Sequence, residues 1–124
     1  MFIIKNMSFS KSLGNKQKGA SIEFRVAQDA DRLDALGAIG IARVFAYGGS
    51  KSRPLYDPTK RPQSFKTSRS YKVLRSTSLH HFDEKLFLLK ELMNTASARK
   101  IAASRHRYMK AYQKKFLAEW HGKQ

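Results

Sequence analysis

Residues 28–43 read Gln28-Asp29-Ala30-Asp31-Arg32-Leu33-Asp34-Ala35-Leu36-Gly37-Ala38-Ile39-Gly40-Ile41-Ala42-Arg43. In and around this stretch the apolar residues Ile22, Val26, Leu33, Leu36, Ile41, Val44 and Phe45 recur mostly at three- and four-residue offsets. That spacing lines one face of a helix; a strand would alternate. Ser21 suits the N-cap, because its hydroxyl can accept from free amides of the first turn. Gly37 and Gly40 weaken a helix, and they either divide it or let another helix approach closely. Gly48-Gly49 is expected to end it.

Downstream, residues 48–70 hold Pro54, Pro58 and Pro62, all the prolines of the chain, among many bases. They read as a long loop, a type of segment that is usually functional or disordered. A second helix is expected from His80 to Met93, with Phe82, Leu86, Leu89 and Met93 as its stripe, widened by Leu79, Leu88 and Leu92. Asn94-Thr95 supplies a stop and a fresh cap. A third helix then runs from Ala96 to about Trp120, with Ile101, Tyr108, Tyr112, Phe116 and Trp120 on one face. Arg99, Lys100, Lys110, Lys114 and Lys115 decorate the other, and Gly122 closes the helix. The aromatic stripe reads as core rather than as a base-stacking platform. Residues 1–20, polar and containing Gly14 and Gly19, read as an arm. No period-two pattern stands out. The expected fold is all-α, with three or four helices and one long basic, proline-containing loop.

Composition narrows the class. The 124 residues suit one domain, and with 41% apolar residues they can form a core. Cysteine is absent, which excludes disulfides, thiolate metal sites and a cysteine nucleophile. No apolar run approaches the roughly 20 residues of a membrane span. The apolar opening Met1–Ile4 stops at Lys5, so the chain reads as soluble and cytoplasmic, without a membrane partner. Its 25 Lys and Arg against 9 Asp and Glu leave a net charge of +16, unevenly placed. Residues 23–46 hold Glu23, Asp29, Asp31 and Asp34, whereas 47–79 hold eight bases and one acid, Asp57. The excess fits a solvated surface and equally an attraction to polyanions. Zinc-finger, single-strand-binding and Walker motifs are absent from the sequence.

Three clusters bear chemical groups. On a helix Asp31 and Asp34 share a face while Asp29 points elsewhere. A projecting carboxylate is a hard ligand for a divalent cation, and it equally pairs with a neighbour such as Arg32. Gly48-Gly49-Ser50-Lys51-Ser52-Arg53 can present amide donors and cations to a phosphate, or simply cap a helix ahead of a basic loop. His80 and His81 project about 100° apart on a helix, a poor pair for one metal, and capping or core-edge roles suit each. His106 and His121 lie in basic surroundings with no partner ligand evident. No nucleophile-elbow motif supports a Ser-His-Asp triad.

The run Gln28–Arg43 resembles the HD-superfamily metal-dependent phosphohydrolases, nearest their bacterial HD-domain hydrolase or nucleotide pyrophosphohydrolase branch. The likeness continues through Phe45-Ala46-Tyr47-Gly48-Gly49, His81-Phe82-Asp83-Glu84-Lys85-Leu86, Leu89-Lys90, Leu92-Met93-Asn94-Thr95 and Glu119-Trp120, over about residues 7–122. It implies a helical bundle, with residues 21–122 as the C-terminal part of an HD-type domain. It implies a divalent metal, Mn or Mg first with Fe, Co or Ni as alternatives. The segment Ala30-Asp31-Arg32-Leu33 makes Asp31 the implied ligand, with Asp29 as the alternative to it. It further implies Lys51, Arg53 and His81 against the phosphates of a nucleotide or other phosphorylated small molecule, hydrolysed by metal-activated water.

The sequence also departs from the family pattern, in which a His and a His-Asp dipeptide precede the last Asp ligand. No His precedes position 80, no His-Asp dipeptide occurs, and Met7 stands where the family has His ahead of Ser-Phe-Ser. With one ligand of four, the expectation is a truncated phosphohydrolase that is inactive alone, and no catalytic residue is assigned. The charge supports a different class of function, a non-catalytic basic helical protein that binds nucleic acid or other polyanions in a salt-dependent way.

Overall fold

The expected N-cap is present: Ser21 Oγ accepts from the Phe24 amide at 3.1 Å, and helix α1 (Ile22–Leu33) follows. The computed structural model describes residues 21–62 and 76–124. The arm expected over residues 1–20, and residues 63–70 of the expected loop, lie outside the described residues, as do residues 71–75. The order continues with α2 (Gly37–Ser50), α3 (His80–Glu84), a 3₁₀ segment (Leu86–Leu92) and α4 (Ala96–Trp120). No strand occurs among the described residues, and the architecture is all-α as expected. No helix among the described residues is long and apolar enough to cross a membrane.

The first helix is divided. Asp34-Ala35-Leu36 breaks it, and Gly37 restarts it with a φ of +81°, a left-handed angle that glycine adopts without steric cost. Arg105 of α4 packs its methylenes against Gly37. Its guanidinium donates to the Leu33 carbonyl at 2.7 Å, so a cation satisfies the C-terminal end of α1.

Helix α2 ends at Ser50, one residue past the expected Gly48-Gly49 stop. Gly48 is buried, and a Cβ there would collide with Ser78 Oγ, so its lack of a side chain serves a close approach within the helix. The turn comes afterwards, where Ser52 takes a φ of 58° between Lys51 and Arg53.

The helix expected over His80–Met93 is also broken. Lys85 leaves helical geometry, and a tighter 3₁₀ segment carries the leucine run. With 3.0 residues per turn, positions three apart eclipse. Leu86 and Leu89 are buried along with Phe87, while Leu88, expected in the stripe, is exposed. Thr95 caps α4 as expected, its Oγ1 accepting from the Ala98 amide at 3.2 Å, and Gly122 with φ +75° follows that helix.

The long helix α4 is the spine, packed by α1, α2 and the 3₁₀ segment. Its inner face is built from Ala98, Ala102 and Met109, the alanines allowing close approach. The face expected for it is corrected: Ile101, Tyr108 and Trp120 are exposed, whereas Tyr112 and Phe116 pack against the core. Phe82 stacks on Tyr112 at 6.0 Å between centroids, and Phe45 on Phe116 at 6.1 Å. The inner face of α1 differs too. Ile22 and Val26 are exposed, and Phe24, Gln28, Asp29 and Arg32 are buried.

Candidate functional site

The two carboxylates of the Asp29-Ala30-Asp31 run have opposite fates. Asp29 is 3% exposed. Its Oδ1 accepts from the Asn94 amide at 2.7 Å and from Asn94 Nδ2 at 3.0 Å. Its Oδ2 accepts from the Thr95 amide and from Thr95 Oγ1, both at 2.9 Å. Thr95 Oγ1 thus donates to Asp29 while it accepts from the first turn of α4. A carboxylate at the start of a helix also suits the positive end of its dipole. One turn along α1, Arg32 is buried beside Asp29 and donates to the Leu92 carbonyl. Burial lowers the Arg32 pKa, against the opposing pull of Asp29 and Asp31. Asp29 and Arg32 therefore clamp the 92–95 connection, and the Asp29 oxygens are taken up there.

Asp31 is exposed, as is Asp34. Asp31 acts electrostatically on Lys85, the residue at the break after α3. Burial lowers the Lys85 pKa, Arg43 of α2 lowers it further, and Asp31 opposes both. One turn before Lys85, His81 is pushed down to about 4, mainly by burial and then by the charges of Lys85 and Arg53. At neutral pH His81 is an uncharged imidazole, able to donate from one ring nitrogen and accept at the other. Arg53 and Lys51 meet over the exposed ring of Tyr47, the Arg53 Cζ 5.4 Å and the Lys51 Nζ 5.8 Å from its centroid.

The backbone holds this group in place. The Arg53 amide donates to the Gly48 carbonyl at 2.8 Å. The Ser78 and Leu79 amides donate to the Pro54 and Leu55 carbonyls at 3.0 and 2.9 Å. These bonds tie the turn after α2 to the start of α3. Of the residues singled out in the sequence, Lys51, Arg53 and His81 are thus in one neighbourhood, and Asp31 joins it through Lys85. Arg43 and Lys85 were quoted only for the resemblance. A lysine four residues after His81, on the same helix face, was the available signal for Lys85.

The resemblance to HD-superfamily hydrolases implies a resident divalent metal, for which these side chains would have to supply ligands. No three His, Asp or Glu residues come together among the described residues. Asp31 has Lys85 and Arg32 as its electrostatic neighbours, and both repel a cation. The described residues do not fit a resident divalent ion. They fit an anion.

No family model matches the chain. It is 39% identical over 107 residues to Bacillus subtilis YpgQ, covering 86% of this chain and 44% of YpgQ. YpgQ has been solved in complex with ADP, and that structure superposes with a TM-score of 0.59 over 80% of this chain and 44% of its own. A solved Lactobacillus plantarum protein is 47% identical, with a TM-score of 0.88 over 98% of this chain and 59% of that one. An HD-superfamily hydrolase from Bacillus thuringiensis is 44% identical, with a TM-score of 0.68 over 96% of this chain and 62% of that one. The chain spans about half the length of the relatives it matches. By sequence and by helical architecture together, the chain has an HD-superfamily-like fold, similar to these proteins over part of their length.

Proposed function

We propose that this chain binds the phosphates of a nucleotide, as part of the phosphohydrolase chemistry of the HD superfamily. The reading is supported by the backbone bonds that tie the turn carrying Arg53 to the start of α3, and by the electrostatic influence of Arg53 and Lys85 on His81. Lys51 joins Arg53 over Tyr47. Two or three cations with partial burial recognise phosphoanhydride oxygens strongly, because hydrogen bonds to ionised partners are roughly twice as strong as neutral ones. Lys85 and Arg53 neutralise phosphate charge, and neutral His81 donates a hydrogen bond. The complex of YpgQ with ADP supports a nucleoside phosphate as the ligand class. In the family reading Asp31 is the carboxylate directed at a divalent metal, Mn or Mg. One carboxylate beside cations makes no such site, so the chain alone binds nucleotide and does not turn it over.

Calorimetric titration with ADP tests the binding. Arg53→Ala and Lys85→Ala are each expected to weaken it about tenfold, from the loss of a charge-assisted hydrogen bond. Affinity unchanged in both variants overturns the site. Phosphate release from nucleoside triphosphates with Mn²⁺ present is expected to match the protein-free background, and steady turnover overturns the inactivity.

One observation favours the polyanion reading. Lys100, Arg107 and Lys114 are exposed and lie seven residues apart, close to one line along α4. None of them is in an ion pair among the described residues. That reading predicts oligonucleotide binding that ignores sequence and falls linearly in log K with log salt. Saturable ADP binding that resists salt argues against it.

A further inference from the structure

An open slot lies where the C-terminal turns of α4 face the loop that leaves α2. Its volume is about 480 Å³, within the range of small-molecule sites. The walls are Leu55 on the loop side and Tyr112, Phe116 and Trp120 on α4. Trp120 is 47% exposed and Leu55 53% exposed, so the slot is reached from solvent. The indole has defined supports: it stacks on Phe116 at 5.9 Å and 11° between planes, and it meets the edge of Tyr56 at 5.2 Å and 89°. One broad aromatic surface is thus held rigid and left partly bare.

The rim is chemically mixed. Lys115 and Glu119 line the same slot one helical turn apart. Neither is in an ion pair among the described residues. A flat apolar surface flanked by an ammonium donor and a carboxylate acceptor matches a heteroaromatic ring that carries both acceptors and donors. A phosphate does not suit it, since Glu119 and the negative end of the α4 dipole both repel an anion.

The slot also adjoins the cationic cluster. Leu55 is two residues beyond Arg53, so their Cα atoms are at most about 7.6 Å apart. Tyr56, which supports Trp120, also packs on His80 at 5.3 Å, and His80 precedes His81.

We propose that this slot is a nucleobase subsite: the base stacks on Trp120 between the Lys115 and Glu119 side chains, while its phosphates lie on Arg53 and Lys85. The assignment rests on the nucleotide reading above and adds the part of the ligand that discriminates nucleotides from bare phosphates.

Trp120 is the sole tryptophan, so its fluorescence reports the slot alone. The full chain is titrated with ADP and with pyrophosphate, by fluorescence and by calorimetry. ADP is expected to quench Trp120 and to bind about tenfold more tightly than pyrophosphate, the size of one base–aromatic stack. Trp120→Ala is expected to bring ADP down to pyrophosphate affinity and leave pyrophosphate binding unchanged, while Trp120→Phe retains most of the preference. Equal affinity for ADP and pyrophosphate overturns the slot and leaves the phosphate site standing. Quenching by ADP without any binding of pyrophosphate supports the slot and overturns the phosphate site. Binding of neither overturns both. Quenching by N-acetyltyrosinamide as strong as that by adenosine makes the slot a general aromatic groove and overturns the nucleobase assignment.

Discussion

Asp29 and Asp31 are two residues apart and of one type, yet their mutations should behave as opposites. Asp29 is buried and accepts four hydrogen bonds from Asn94 and Thr95. Asp29→Ala strands those donors and leaves Arg32 buried without its nearest countercharge. The expected loss is about 3 kcal/mol, the scale of a broken buried charge network. Asp31→Ala removes an exposed carboxylate and should stay within about 0.5 kcal/mol of the parent. Urea unfolding measures both, and equal losses would show that Asp29 does not carry the connection. A second residue-scale prediction concerns acid. His81 is pushed down to about 4 in the folded chain, from an ordinary imidazole value of 6.5. Below pH 6.5 the unfolded chain takes up a proton that the folded chain refuses until about pH 4. The stability tied to neutral His81 is therefore full above pH 6.5 and is lost as pH falls toward 4, by about 3 kcal/mol in total. His81→Gln should flatten the stability profile in that window. An unaltered slope in the variant would assign the acid sensitivity to other groups.

At the scale of elements, the caps and one stripe were legible and the buried faces were less so. Ser21, Thr95 and Gly122 stand where cap chemistry placed them, and Phe82, Leu86, Leu89 and Met93 are buried as their spacing implied. The inner face of α1 was not legible from hydrophobicity, because Gln28, Asp29 and Arg32 are buried there in place of Ile22 and Val26. Their burial is stable only because the 92–95 connection, some 65 residues away in sequence, presents groups such as Asn94 Nδ2 to Gln28 and Asp29. The same long-range partners separate Asp29 from Asp31, which spacing alone could not do. Gly48 serves two purposes. A glycine pair after an apolar run suggests a stop, and the helix does end one residue later, while Gly48 in its last turn also makes room for Ser78. Gly48→Ala should therefore destabilise by about 1–3 kcal/mol through overpacking. Adding Ser78→Ala should restore the loss or exceed it. It removes the obstructing hydroxyl, which is itself buried without a hydrogen-bond partner among the described residues, and alanine is about 1 kcal/mol better than glycine in a helix. Thermal unfolding of the three variants checks this, and an additive double mutant would show that the two positions do not touch.

The whole molecule carries +16 on 124 residues, and the ion pair recorded among its described residues, Lys90 with Glu91, is exposed. Exposed pairs contribute about 0–1 kcal/mol, so this pair offsets little of the self-repulsion. Two effects of added ions then separate. Sodium chloride screens all exposed charges alike, since the Debye length shrinks from about 10 Å at 0.1 M to about 3 Å at 1 M. The melting temperature should rise with chloride and level off once screening is complete. A multivalent anion adds a site-specific effect. At constant ionic strength pyrophosphate should raise the melting temperature further, because a ligand held by the folded state alone stabilises it by RT ln(1 + [L]/Kd). That increment should shrink in Arg53→Ala and Lys85→Ala and persist in Lys100→Ala. The contrast decides whether the charge acts as a diffuse coat or is focused at one place. A pyrophosphate increment lost equally in all three variants would mean that the anion senses only the net charge, and the cluster around His81 would then have no claim to be a site.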